Sequence, residues 1–234
     1  MLEGIDLRLG DWRTALADVG MVDAVITDPP YGKRTHDGHD DGAEKRRGMI
    51  GREFKDVAYV SWTSCDVDFF VQTLAPKCRG WFCSMTSHDL IPSWETAYNK
   101  CGRYVFAPVP WIDRRPRLIG DGPSSWACYL MVSRPKNTEF SRWGCLDGAY
   151  LPGARESDRV IGGKPLWLMR AIIRDYTRPG DLVCDPCAGG GTTLLAAAIE
   201  GRRAVGAELD PATYAKAKRR LEAGYTPSLW KTDV

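Results

Sequence analysis

The stretch that most restricts the fold is residues 181–224, DLVCDPCAGGGTTLLAAAIEGRRAVGAELDPATYAKAKRRLEAG. A short apolar run ends in an acid, and three glycines turn the chain. A Leu/Ala-rich run follows, then a second apolar run ends in another acid, and Asp210–Pro211 opens an amphipathic segment. The order is strand, helix, strand, helix, a βαβ unit whose strands lie parallel and need helices on both faces of the sheet. The fold class is therefore α/β, a Rossmann-like domain. Gly189 to Gly191 stand where the first strand becomes a helix, so a ligand can approach bare backbone and the N–H groups of the helix start. Glu208 follows about 20 residues later, where an acid accepts hydrogen bonds from ribose hydroxyls. Together they predict an adenosine-containing cofactor. Plainer roles exist for the same residues: glycine for close helix–strand packing, Asp185 as a turn cap, and Asp210 as the helix cap. In the last helix Tyr214, Ala217 and Leu221 form the buried face, with the lysines and arginines in water.

A second stretch poses a sharper question. Residues 27–32, TDPPYG, follow the apolar run DAVI. The prolines forbid a helix there and hold the chain extended, so Asp28 and Tyr31 are fixed just beyond a buried strand. The residues before them, GIDLRLGDWRTALADVGMVDAVI, read as strand, short helix and strand, with Gly20 closing the helix; Asp11 serves either as a helix N-cap or as part of a ligand pocket. Further elements are a helix near DVDFFVQTLAPKC, a strand GWFCSM, a helix over LIPSWETAYNKCG bent near Pro92, strands RYVFAPVPWI and SSWACYLMVSR, and a helix starting at Pro165. Residues 33–56 have no apolar period and read as a mobile insert, and 135–163 as a short irregular segment.

Composition narrows the function. The chain has 234 residues, 44% hydrophobic and 26% charged, which suits one globular domain over 1–234. Its net charge of +2 does not announce a nucleic-acid binder, so any basic surface is local. No apolar run reaches the length of a bilayer span and the start lacks a signal-peptide pattern, which predicts a cytoplasmic protein. The eight cysteines are scattered and read as free, mostly buried thiols. Cys184 and Cys187 form one C-x-x-C, but Cys78 and Cys83 do not complete a zinc pattern, and His36 and His39 sit in the polar insert; no metal is expected. Most of the nine tryptophans read as core; Trp111, beside the basic link DRRP, is the one placed to meet a ligand.

With TDPPYG early and DPCAGGGTT late, the chain resembles the amino-methylating (adenine-N6 and cytosine-N4) DNA methyltransferases, in the permuted, beta-type order that puts D-P-P-Y before the glycine-rich motif. Gly10–Asp11, the strands near 80–86 and 126–133, GKP at 163–165 and GAELDP at 206–211 fall in the matching order. The resemblance implies a mostly parallel seven-stranded sheet with one antiparallel strand, and S-adenosyl-L-methionine as the methyl donor. It implies Asp28, Pro29, Pro30 and Tyr31 as catalytic residues. It gives the cofactor Asp11, Asp28, Lys164, Asp185, Pro186, Cys187, Ala188, Gly189, Gly191, Thr192, Glu208 and Leu209. DNA and the small-molecule cofactor are the implied partners, without a membrane, and a homodimer is compatible with the family. The basic residues Lys33, Arg34, Lys45, Arg46, Arg47, Arg114 and Arg115 are the expected phosphate contacts. Restriction–modification in a prokaryote or phage is the implied setting. Asp at the first motif position favours adenine N6; cytosine N4, RNA, a protein glutamine amide, or a DNA-binding protein without turnover are the alternatives.

Overall fold

The computed structural model describes residues 2–33, 60–112, 127–137, 143–151 and 163–224. Its strands are β1 (Ile5–Leu9), β2 (Ala24–Thr27), β3 (Phe82–Thr86), β4 (Tyr104–Val105), β5 (Val109–Ile112), β6 (Ala127–Arg134), β7 (Leu182–Asp185) and β8 (Arg203–Glu208). Its α-helices are α1 (Trp12–Ala15), α2 (Ser64–Leu74), α3 (Ile91–Lys100), α4 (Leu166–Tyr176), α5 (Thr192–Ile199) and α6 (Pro211–Ala223). The sheet runs β1-β8-β7-β2-β3-β6-β4, with β5 also on β6. β1, β8, β7, β2 and β3 pair in parallel, while β6 is antiparallel to β3, β4 and β5.

The sheet has eight strands rather than seven, because the edge position is split. Val105 lies opposite Ser133 and Val109 opposite Leu130, so the edge takes one more step than β6 over the same stretch. That inserted residue is a bulge, and Pro108, which has no N–H to give, lies within it. Among the described residues no strand pairs with the outer side at the bulge, so the extra residue breaks no second ladder there. Two local expectations change as well. Pro92 sits in the first turn of α3 and starts that helix rather than bending it. α1 ends at Ala15, well short of Gly20.

Alternation along β2 builds both core layers. Ala24 and Ile26 join a core with α4, α5 and α6, while Val25 faces a second core with α2 and α3 built around Phe70, Trp94 and Tyr98. All four residues of β2 are buried, as a central strand between two helical layers requires. Among the described residues no helix is long and apolar enough to cross a membrane. The cysteines are free, but only Cys78, Cys83 and Cys184 are buried; Cys65 and Cys145 are exposed. Arg103 is buried at the end of the sheet opposite Thr27 and Asp185. Its guanidinium donates to Ser133 Oγ at 2.9 Å, to the carbonyls of Cys78 at 3.2 Å and Ser133 at 3.3 Å, and to that of Gly80.

Candidate active site

In an open α/β sheet, ligands bind at the carboxyl ends of the strands where the strand order reverses. That point lies between β2 and β7, which are hydrogen-bonded neighbours although their sequences lie far apart. One bond fastens their ends: Thr27 donates its hydroxyl to Asp185 Oδ1 at 2.7 Å, across 158 residues. It brings Asp28–Tyr31 and the glycine turn to one place.

The turn is shaped from several sides. Gly189 and Gly191 have φ of 51° and 73°, a region that side chains disfavour, and Gly191 is the N-cap of α5. Asp185 Oδ1 also accepts the Cys187 N–H at 3.1 Å, so this acid caps the turn. Glu208, buried at the end of β8, accepts the Gly189 N–H on Oε2 and the Asp210 N–H on Oε1, both at 2.8 Å. Each oxygen keeps a further lone pair for a ligand hydroxyl. Asp210 caps α6 through the Thr213 N–H, and Asp11 caps α1 through the Arg13 N–H at 2.8 Å. Pro186 and Ala188 are buried, Cys187 is half-buried, Leu209 is exposed, and Leu9, also exposed, lies opposite Glu208 in the β1–β8 pair. Two contributors escaped the sequence reading. Thr27 is one. Arg220 is the other: rather than lying in water, it donates to Thr192 Oγ1 at 2.8 Å and to the Gly190 carbonyl at 3.2 Å. Its position three residues after Ala217, on the inner side of α6, was the available signal.

Burial raises the Asp185 carboxyl to about 6, against the Thr193, Thr27 and Cys187 bonds that lower it. A carboxyl with a raised folded-state pKa favours folding most below its unfolded value near 4, and that contribution is lost as pH climbs through about 6. The stability of the parent relative to Asp185→Asn is therefore expected to fall by about 1–3 kcal/mol between pH 4 and 7 in urea titrations. A difference that does not change with pH would refute the buried titration. Burial likewise lifts the Cys187 thiol, which is surrounded by Asp185, Glu208 and Asp28 and stays protonated.

On the other side of the junction, the Lys164 ammonium lies 2.7 Å from both oxygens of Asp28. The Tyr31 hydroxyl donates to Asp28 Oδ1 at 3.0 Å, and burial together with Asp28 keeps that phenol protonated well above its usual range. The Lys164 ammonium stands 4.9 Å from the Tyr31 ring centre and 6.0 Å from that of Trp111. Pro29 is buried, Pro30 half-buried, and the Tyr31 carbonyl accepts the Trp62 N–H at 3.0 Å. Lys164 thus falls on Asp28 rather than on the glycine turn. Lys33 is exposed. Arg34, Lys45, Arg46, Arg47, Arg114, Arg115, His36 and His39 lie outside the described residues, as does most of the 33–56 insert. No group of three or more potential metal ligands occurs among the described residues.

A family model described as DNA methylase, of the N6/N4 class, matches residues 149–219, which hold Lys164, the glycine turn and Glu208. Over that stretch the chain is similar to the amino-methylating DNA methyltransferases. It is 43% identical to type II methyltransferase M.HindIII of Haemophilus influenzae over 127 residues, 51% of this chain and 41% of that protein. The curated relatives are matched over only 22–41% of their own lengths. Among solved structures, the M1.HpyAVI–SAM complex superposes with a TM-score of 0.66 at 23% identity, covering 93% of this chain and 98% of that one. The cytosine-N4-specific PvuII DNA methyltransferase superposes with a TM-score of 0.64 at 16% identity, over 93% of this chain and 88% of that one. These likenesses establish the methyltransferase-like α/β fold.

Proposed function

We propose that this protein is an S-adenosylmethionine-dependent DNA methyltransferase acting on the exocyclic amine of a flipped base, adenine N6 in preference to cytosine N4. The observation that carries the reading is the junction of β2 and β7. A rigid D-P-P-Y segment and a glycine turn with a buried acid are bolted together by the Thr27–Asp185 bond. The residues fit the cofactor: bare backbone at Gly189–Gly191, spare acceptor positions on Glu208, and exposed Leu209 and Leu9 as apolar surface for a purine. When bound, the cofactor supplies a methyl group on a sulfonium, with a neutral thioether as leaving group.

The chain's own work is on the amine. Its lone pair is delocalised into the base ring, so it is a weak nucleophile until its hydrogens are drawn aside. Asp28 and the Pro29 carbonyl would each accept one of them and direct the lone pair out of the base plane. On accepting a methyl group the nitrogen would have one proton to shed, and Asp28 is the acceptor that faces it. Tyr31 would stack on a base that must leave the duplex to expose its amine. Asp rather than Ser at position 28 favours adenine on the family resemblance. Lys33 and the basic residues that follow it would meet phosphates, and the relationship to type II methyltransferases supports a restriction–modification setting.

Substrate class is tested by incubating the protein with methyl-labelled S-adenosylmethionine and, separately, duplex DNA, RNA or cell protein. Label is expected in DNA; label confined to RNA or protein, or none, overturns the reading. For the cofactor side, Glu208→Ala is expected to cost about 1–3 kcal/mol of S-adenosylmethionine binding by calorimetry, since it removes a charged acceptor and frees the Gly189 N–H. Unchanged affinity would remove Glu208 from the cofactor site.

A further inference from the structure

Resting on that reading, we propose that Lys164 is a positioning residue that fixes the Asp28 carboxylate and leaves it one open acceptor position, on Oδ2, for the target amine. The argument is a count of lone pairs. A carboxylate offers four acceptor positions, two per oxygen. An ammonium 2.7 Å from both oxygens is equidistant from them and takes one position of each. The Tyr31 hydroxyl, 3.0 Å from Oδ1, takes the second position there. What remains is the second position of Oδ2, and no other donor among the described residues is seen on Asp28.

Lys164 is itself held. Its side chain is 8% exposed, its ammonium lies against the rings of Tyr31 and Trp111, and it immediately precedes Pro165, the N-cap of α4. The family resemblance gives this lysine to the cofactor; the geometry gives its charged end to the catalytic acid. It pins the plane of the carboxylate against rotation, so the amine meets an oriented acceptor instead of one that must be ordered on binding. Tyr31 then has a second task beyond stacking, because its hydroxyl closes the competing position on Oδ1.

The test combines Lys164→Met, Asp28→Asn and the double variant, each checked for folding by thermal unfolding. Single-turnover transfer to DNA at saturating S-adenosylmethionine is expected to fall about a hundredfold in Lys164→Met, with cofactor affinity by calorimetry within about threefold of the parent. The double variant should be no more than about threefold slower than the slower single variant, as for residues acting as a unit. Lys164→Arg, which keeps a charged donor fork, should recover at least about tenfold of the Lys164→Met loss. A tenfold loss of cofactor affinity would make Lys164 a cofactor ligand, and additive rate losses would give it a role independent of Asp28; either overturns the proposal. Lysine acetylation followed by mass spectrometry reports on the pair without any turnover. Lys164 should resist labelling in the parent and label faster in Asp28→Asn, and equal rates in the two would overturn the clamp. If the parent transfers no methyl to DNA while the labelling contrast holds, the proposed activity fails and the ion pair stands.

Discussion

Asp28→Asn is expected to slow methyl transfer by about a thousandfold while changing S-adenosylmethionine affinity by no more than a few fold. Asparagine keeps the size of the side chain and one acceptor oxygen, but removes the charge that Lys164 and Tyr31 hold in place. Without that charge the carboxamide NH2 can face the target amine as a competing donor, so both orientation and attraction are lost. Alanine is the poorer choice. Both variants remove the counter-charge of the Lys164 ammonium, whose side chain is only 8% exposed, but Asp28→Ala also removes every acceptor from it, whereas asparagine keeps one carbonyl oxygen within reach, so the alanine variant would confuse a larger loss of stability with a loss of chemistry. Calorimetry and single-turnover rates on the asparagine variant separate the two sites. Cofactor binding lost together with transfer would place Asp28 in the cofactor pocket and break the division of labour proposed between β2 and β7.

The largest effect on stability is expected from Arg103→Met, which keeps the stem and deletes the guanidinium. Arg103 is 4% exposed, and its five N–H groups serve the turn before β3 and the end of β6 together: Cys78 and Gly80 on one side, Ser133 on the other. Removing it takes the guanidinium donors from buried carbonyls and leaves the Ser133 hydroxyl only a long 3.5 Å bond to the Phe82 carbonyl, at about 1–3 kcal/mol for a group left fully without a partner and less for those that keep one. A total loss of about 3–4 kcal/mol is expected, which lowers the melting temperature by roughly 6–16 °C in a domain of this size. Because the clamp sits at the end of the sheet opposite the glycine turn, cofactor affinity of the folded variant should match the parent. A shift below about 2 °C in calorimetric melting would show that water replaces the guanidinium at little cost.

What could be read in the sequence, and what could not, follows from the range of the interactions involved. The βαβ unit at 181–224 was legible because its information is local: an apolar run, glycines where φ is positive, and an acid at the next strand end. The buried β2 and its rigid exit were legible for the same reason. The broken edge strand was not, because a bulge is defined only against its partner, and nothing in RYVFAPVPWI shows that β6 takes one step fewer there. Pro92 was ambiguous between starting and bending a helix, since either use costs the same missing N–H. Within the site, Asp11 and Asp185 both take the local capping roles that their residue type offers, and Glu208 joins a cap to its proposed ribose role. Thr27, Arg220 and the pairing of Lys164 with Asp28 depend on partners 158, 28 and 136 residues away, which no local pattern encodes.

The measurement that bears most directly on the central claim is the identity of the methylated unit. DNA labelled by the protein in the presence of S-adenosylmethionine is digested to nucleosides and resolved by mass spectrometry against N6-methyladenosine, N4-methylcytosine and C5-methylcytosine deoxynucleoside standards, with Asp28→Asn in parallel. The account predicts methyl on an exocyclic nitrogen, N6 of deoxyadenosine, and its loss in the variant. Methyl on N4 of deoxycytidine would keep the chemistry and correct the base. Methyl on a ring carbon, or an unchanged yield from Asp28→Asn, would contradict the claim that Asp28 prepares an amine for attack.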